Sequence, residues 1–354
     1  SSFSKSLLNY YEFNPRIIID TTNNRESKLK VIDYLKKRKD KVFISSYANS
    51  ISSGVYRWNF KNPNSHLVRK GIKKESLQGI IPSGIAAGII LEEARKSLIP
   101  LERDNILKDE VRYNLNLQDR IKAGKINSPI YDFNSKKCLV AGAGGIGTYA
   151  TLNLALSGFK RIDILDYDDI NETNLNRQIL FYNKLGNKKA KVLRQRIGKI
   201  TPIKSKDFSD IKYKIDTESF EFLRKQNYSL ILGCFDNVRA RYLLNHFAID
   251  LGIPYIDGGT SASKGSVFSY YPKKTACVSC KKNLSLEEEV RHSCDYADPS
   301  VVMPNMIVGS LMVGEAINII SERDKRGKTI AYDNNHPKRI YQKSSPKKKG
   351  GCRC

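Results

Sequence analysis

No uninterrupted apolar run in the sequence reaches membrane-spanning length, so no membrane span is expected. The longest candidate, Ile307 to Ile320, is broken by Gly309, Ser310, Gly314 and Glu315 and reads as a buried helix. The first residues show no basic stretch leading into an uninterrupted apolar core, so no signal peptide is expected and cytoplasmic residence is. Acidic residues are scarce, 36 against 61 basic ones, which leaves a formal charge of +25. Such a charge attracts polyanions. Yet the lysines are spread along the chain, and the one dense block is Lys347 to Lys349. No zinc finger, helix-turn-helix or aromatic platform for single strands is visible, so specific nucleic-acid binding is not expected. Seven cysteines at uneven spacing do not form the disulfide framework of a small secreted domain. With 40% hydrophobic residues the composition is globular, and 354 residues are enough for two domains.

What the chain does contain is concentrated in its middle. Lys137 to Ala141 is a short apolar run that fits a buried parallel strand, and Gly142-Ala-Gly-Gly-Ile-Gly147 follows at once. Glycines there permit a tight turn, close approach of backbone N–H groups to phosphate, and close packing of the next helix. That helix is expected over Thr148 to Ser157, stopped by Gly158. A second strand, Arg161 to Leu165, ends in Asp166, positioned to accept hydrogen bonds from both ribose hydroxyls.

To this point a dinucleotide-binding redox unit fits equally well. The next residues separate the two. Asn174, Arg177 and Gln178 follow the acidic strand end; Lys188, Lys189 and Lys191 open an amphipathic helix. The apolar strand Tyr228 to Gly233 then leads into Cys234-Phe-Asp-Asn237. Attack on the α-phosphate of a nucleoside triphosphate calls for cations against the developing phosphoryl charge and a carboxylate for magnesium. Hydride transfer needs none of these.

These motifs resemble the ubiquitin-activating-enzyme-like adenylyltransferases, the group that includes MoeB, ThiF and MccB, over roughly Arg112 to Cys354. The resemblance implies an α/β fold: a Rossmann-like adenylation domain with a mostly parallel sheet. It also implies that the Gly142, Gly144, Gly145 and Gly147 loop, Asp166, Asp168, Asn174, Gln178 and Asn237 surround ATP or CTP. Arg177, Lys189 and Asp236 then do the chemistry, with Asp236 on Mg2+, and the enzyme is a homodimer. Relatives carry a second arginine three residues after the first of an Arg-Tyr motif, reaching the partner's active site. Here that position is Leu115, and Arg112 and Arg120 are the alternatives.

Cys277-Val-Ser-Cys280 and Cys352-Arg-Cys354 form two close thiol pairs, a donor set suited to tetrahedral structural Zn2+. The resemblance implies such a site, although the second pair has one intervening residue where two are usual. Cys138 and Cys234 read as packing residues. Cys294, beside Arg291 and His292, has two readings: an incidental thiol, or the nucleophile that in sulfur-carrier-activating relatives links covalently to the carrier.

About 110 residues precede the family segment. Pro15 to Asp20, Val42 to Tyr47 and Gly54 to Asn59 read as strands, with the only tryptophan, Trp58, on the last; Glu26 to Lys39 and Ile80 to Leu98 read as helices. Residues 1–108 are thus expected to form a small N-terminal α+β module, and 109–354 the adenylation domain. In position and size the module resembles the peptide clamp of the MccB-type peptide nucleotidyltransferases of microcin C biosynthesis, which implies a short ribosomal peptide as substrate, gripped by strand addition. Two other readings stay open: activation of a ubiquitin-like sulfur carrier by the same chemistry, and a silent peptide-recognition scaffold serving a partner enzyme.

Overall fold

In the computed structural model the described residues are 15–58 (save 23 and 39), 79–99, 105–115 (save 109), 133–282 (save 204), 301–321 and 329–354 (save 345). They divide into two compact units. The first lies within Ser1–Ser128 and takes in Asn334–Ile340; the second comprises Pro129–Asp333 and Tyr341–Cys354.

The first unit is built on a four-stranded sheet in the order β1 (Ile17–Asp20), β2 (Val42–Ala48), β3 (Ser52–Trp58), β4 (Val111–Asn114). β1 and β2 run parallel and are joined by helix α1 (Arg25–Leu35); the other pairings are antiparallel. The start of α1 is set by Asn24, whose Oδ1 accepts from the Ser27 N–H at 2.9 Å. Its apolar stripe, Val31, Ile32 and Leu35, packs with Phe43, Tyr56 and Trp58. Helix α2 (Ile80–Leu98) runs straight through Pro82, because a proline in the first turn breaks no intrahelical bond. Arg112 and Tyr113, expected to open the catalytic domain, lie on β4 and belong to this unit.

The second unit holds an eight-stranded sheet in the order β12-β11-β10-β9-β8-β5-β6-β7. Its five strands from β9 to β7 are parallel: β9 (Tyr255–Thr260), β8 (Leu230–Gly233), β5 (Lys137–Ala141), β6 (Arg161–Leu165) and β7 (Phe208–Ile211). β10 (Lys264–Tyr270) pairs antiparallel with both β9 and β11 (Thr329–Asp333), and β12 (Ile340–Lys343) forms the edge. The fold is therefore mixed α/β with a largely parallel, Rossmann-like sheet, as the family resemblance implied. β5 and β8 read as unbroken apolar runs because both faces are covered; Leu139, Val140, Leu230 and Ile231 are fully buried.

Six further α-helices lie among the described residues of this unit: α3 (Gly145–Leu156), α4 (Lys189–Ile200), α5 (Thr217–Arg224), α6 (Val238–Leu251), the short α7 (Val278–Lys282) and α8 (Val302–Ile320). α8 is long and apolar enough for a membrane span by composition, but 89% of that stretch is buried, against α3, β9 and β10. The expected core helix is present and begins five residues earlier than its apolar run, at Val302.

Candidate active site and metal centre

The chain leaves β5 to one side for β6 and returns on the other side for β8, so the carboxyl ends of these strands splay apart around a crevice, the usual ligand site of open α/β sheets. A cleft of about 1030 Å³ opens there. Its first wall is the glycine loop. Gly142 takes φ +105°, a left-handed backbone that suits glycine. Gly147 lies behind the loop; a Cβ there would come within 1.8 Å of the Gly142 carbonyl oxygen. Gly144 is the N-cap of α3 and makes no side-chain cap, which leaves the first N–H groups of the helix for an anion.

Asp166 braces that loop. Its Oδ2 accepts from the Ala143 N–H at 2.7 Å and its Oδ1 from the Asp168 N–H at 2.8 Å. Burial pushes its carboxyl above the usual range, opposed by those two N–H groups and by nearby Lys189. Each oxygen keeps a second lone pair for an outside donor.

The cationic wall comes from the segment after β6. Lys189, the first residue of α4, donates to Asp168 Oδ2 at 2.8 Å, and its backbone N–H bonds the Asp168 carbonyl. Arg177 lines the cleft and is tethered by its Nη1 to the Thr173 carbonyl and Asn176 Oδ1, both at 2.9 Å. Gln178 is 2% exposed, lines the cleft, and its Oε1 has no hydrogen-bond partner among the described residues. Asn174 does not line the cleft: its Oδ1 closes the capping box of a 3-10 turn by accepting from the Asn171 N–H at 3.0 Å, and Asn176 stands at the cleft instead.

Opposite lies the turn after β8. Asp236 is exposed on the cleft wall, and Asn237, also lining it, caps α6 by accepting from the Ala240 N–H at 2.7 Å. Of the sequence-predicted nucleotide residues, then, all but Asn174 and Gly147 share one cleft. Cys138 and Cys234 are buried thiols pushed up by burial, as packing residues should be. Cys294 and Arg120 lie outside the described residues.

Among the cleft residues that sequence reasoning missed, besides Asn176, are Arg241, Asn305 and Lys264. Arg241, one turn into α6, donates from Nε to the Phe235 carbonyl at 2.8 Å, from Nη1 to Asp257 Oδ2 at 3.1 Å and from Nη2 to the Gly258 carbonyl at 2.8 Å. Asn305, on α8, accepts from Thr260 Oγ1 and sits against Gly145. Lys264 lies across from Asp333 at 3.5 Å on the antiparallel strands. An arginine four residues after Asn237 carries a faint signal, since that spacing returns the side chain to the same helix face. The other two are joined to the site only by tertiary packing.

The four cysteines of the two pairs do converge. Their sulfurs all lie within 4.8 Å of one another. Cys277 is 3.8 Å from Cys280 and 3.6 Å from Cys352, and Cys280 is 3.8 Å from Cys354. A zinc–sulfur bond of about 2.3 Å in a tetrahedron sets thiolates about 3.8 Å apart, whereas a disulfide needs about 2.05 Å. Burial alone would raise the Cys280 thiol, but the Lys349 N–H and the neighbouring thiols bring it down to about 7. The thiol set fits a tetrahedral ion.

The fold and the cleft together define a nucleotide-binding α/β protein. The ThiF family profile matches residues 113–354, and the chain belongs to the ThiF family. The catalytic subunit of the NEDD8-activating enzyme E1 of Caenorhabditis elegans is 37% identical over 166 residues, 42% of this chain and 37% of that protein. The curated relatives are matched over 22% to 43% of their own length. Among solved structures, Escherichia coli MccB with ATP superposes with a TM-score of 0.53 at 18% identity, covering 86% of this chain and 95% of that one. The microcin C7 biosynthetic enzyme MccB in complex with N-formylated MccA gives 0.54 at 17%, covering 87% and 96%. At these identities the likeness is one of fold.

Proposed function

We propose that the protein is a nucleotidyltransferase that joins a nucleoside monophosphate to the C-terminus of a short ribosomally made peptide, as in microcin-C-like antibiotic biosynthesis. The observation that carries this reading is the meeting of Asp166, Arg177, Lys189 and Asp236 around one cleft beside an uncapped glycine-rich helix start. The peptide carboxylate attacks the α-phosphorus of ATP or CTP, the bond to the bridging oxygen breaks, and pyrophosphate leaves. Asp166 holds the ribose, and the glycine loop holds phosphate by its N–H groups. Arg177 and Lys189 neutralise the charge that builds on the phosphoryl oxygens. Asp236 holds Mg2+, which offsets triphosphate charge when bound. Cys277, Cys280, Cys352 and Cys354 hold structural Zn2+, the enzyme is a homodimer, and the reaction belongs in the cytoplasm, where nucleoside triphosphates are abundant.

Support for a peptide substrate comes from extent. The likeness to MccB runs over nearly nine-tenths of this chain and so extends beyond the ThiF segment into part of the residues before it. An active site gripping only a last residue would hold a flexible peptide poorly, and a module with sheet edges supplies contacts along its length. The curated relatives favour a second reading, since their names tie them to NEDD8 and SUMO, and a ubiquitin-like sulfur carrier would need the same adenylation chemistry. The test is to incubate the protein with candidate short peptides or with ubiquitin-like proteins ending in Gly-Gly, plus each labelled triphosphate. A monophosphate adduct on a peptide C-terminus is expected. Adenylation of a ubiquitin-like protein, with no adduct on any peptide, would replace this reading with the second; no pyrophosphate release with any acceptor would leave the scaffold.

A further inference from the structure

Asp236 is an exposed carboxylate on a turn of four residues, and the turn is fixed from behind at three points. The Cys234 N–H bonds the Ala141 carbonyl on β5 at 2.8 Å. Asn237 is committed to the α6 cap. Between them, the carbonyl of Phe235 accepts from Arg241 Nε at 2.8 Å. Arg241 is itself 8% exposed and anchored through its other two nitrogens to Asp257 and to the Gly258 carbonyl on β9. Its planar fork therefore ties the turn after β8 to the next strand of the sheet, and its side chain reaches the cleft wall.

A buried guanidinium beside a cation site would ordinarily repel the cation. Here Asp257, 2% exposed, lies 3.1 Å from Nη1 and balances the charge. Burial disfavours the charged Arg241, but Asp257, Tyr255 and Asp236 outweigh it and hold the group above its usual range. The pair thus supplies geometry while contributing little net charge.

We propose that Arg241, charge-balanced by Asp257, is a positioning residue that fixes the Phe235–Asp236 turn so that the Asp236 carboxylate meets a divalent cation preformed. The proposal rests on the nucleotidyltransferase reading of the cleft. A carboxylate on a turn free to move would lose conformational freedom when the cation bound, and so would hold it more weakly. Lysine keeps the charge opposite Asp257 but lacks the fork that reaches three acceptors.

The experiment compares wild type with Arg241→Lys in two measurements: Mn2+ binding by EPR with the triphosphate present, and the Mg2+ concentration that half-saturates pyrophosphate release. For Arg241→Lys both should weaken by about tenfold or more, the range for outer-sphere partners of metal ligands, while kcat at saturating Mg2+ stays within about threefold of wild type because no reacting group is lost. An unshifted cation requirement, or a fall in kcat without a shift, overturns the proposal. Should Arg241→Lys fail to fold, Asp257→Asn keeps the volume and a hydrogen bond yet leaves the guanidinium unbalanced beside Asp236; the same shift is expected, and its absence is equally fatal. A wild type that neither binds Mn2+ with nucleotide nor releases pyrophosphate sinks the nucleotidyltransferase reading itself; a competent wild type with unshifted variants sinks only the role of Arg241.

Discussion

Arg339 and Glu93 are 246 positions apart in the chain and form a buried ion pair, Nη2 to Oε1 at 2.7 Å and Nε to the same oxygen at 3.0 Å. Arg339 belongs to the short segment between β11 and β12 that is counted in the first unit. Glu93 also accepts from the Leu107 N–H at 2.6 Å, so both carboxylate oxygens are used. Neither side chain is more than 4% exposed. Removing one partner of such a pair costs about 3–5 kcal/mol, chiefly by leaving the other charge buried alone. Glu93→Ala is therefore expected to lower the urea midpoint sharply, and a loss below about 1 kcal/mol would show the pair to be dispensable.

Asp236→Ala should abolish pyrophosphate release and leave the protein folded. The carboxylate is exposed on the cleft wall, outside the core, so its loss bears on chemistry far more than on stability. Lys189→Ala should lower kcat by about 10²-fold or more, the scale of losing one charge-stabilising donor. Rates near wild type in either variant would remove that residue from the reaction.

Gly147→Ala is a steric test of the glycine loop. The added carbon would meet the Gly142 carbonyl at 1.8 Å, so the loop must shift. Nucleotide affinity is expected to drop by at least tenfold. By contrast, Gly144→Ala meets only Gln178 Nε2 at 3.8 Å and should fold as wild type. Equal nucleotide affinity in Gly147→Ala and wild type would show that the loop does not cradle phosphate.

Cys277→Ser should cut bound zinc and destabilise the second unit, because a structural tetrathiolate ion contributes directly to folding. Metal analysis of the wild type is expected to find about one zinc per chain. Wild-type protein that holds no zinc after purification without chelator would refute the site.

His246 gives a pH signature. Burial lowers its imidazole below the usual 6.5, with Asp250 opposing, and its buried Nε2 has no hydrogen-bond partner among the described residues. The folded state then binds fewer protons than the unfolded chain between the lowered folded value and 6.5, so stability rises with pH across that window. On acidification this part of the stability is lost as pH falls from about 6.5 toward the folded pKa. His246→Gln should flatten the slope there, seen as a smaller difference in denaturation midpoint between pH 7 and pH 5. An unchanged slope would show that His246 does not carry it.

Much of this protein was legible in one dimension because the physics involved is local. The glycine loop, the strand before it and Asp166 lie within thirty residues, and their spacing alone demands a turn, a helix start and an acid at a strand end. The helix Ile80–Leu98 and the strands around Trp58 follow from period and turn residues in the same way. The two thiol pairs announced a tetrahedral donor set by composition. Their closeness, 3.6 to 3.8 Å between sulfurs some seventy positions apart, was settled by the fold.

What the sequence could not contain is the choice among equivalent polar residues. Asn174 and Asn176 stand two positions apart with the same side chain; the capping box of a 3-10 turn uses the first to accept from the Asn171 N–H and leaves the second at the cleft. Arg241 is one of many basic residues in a chain of charge +25, and only the packing of α6 over β9 sets it between Asp257 and the Phe235 carbonyl. Local periodicity determines which elements form, because it acts through neighbours in the chain. Which side chains meet across elements depends on how the sheet and helices stack, and that is decided by burial of surfaces hundreds of residues apart in order.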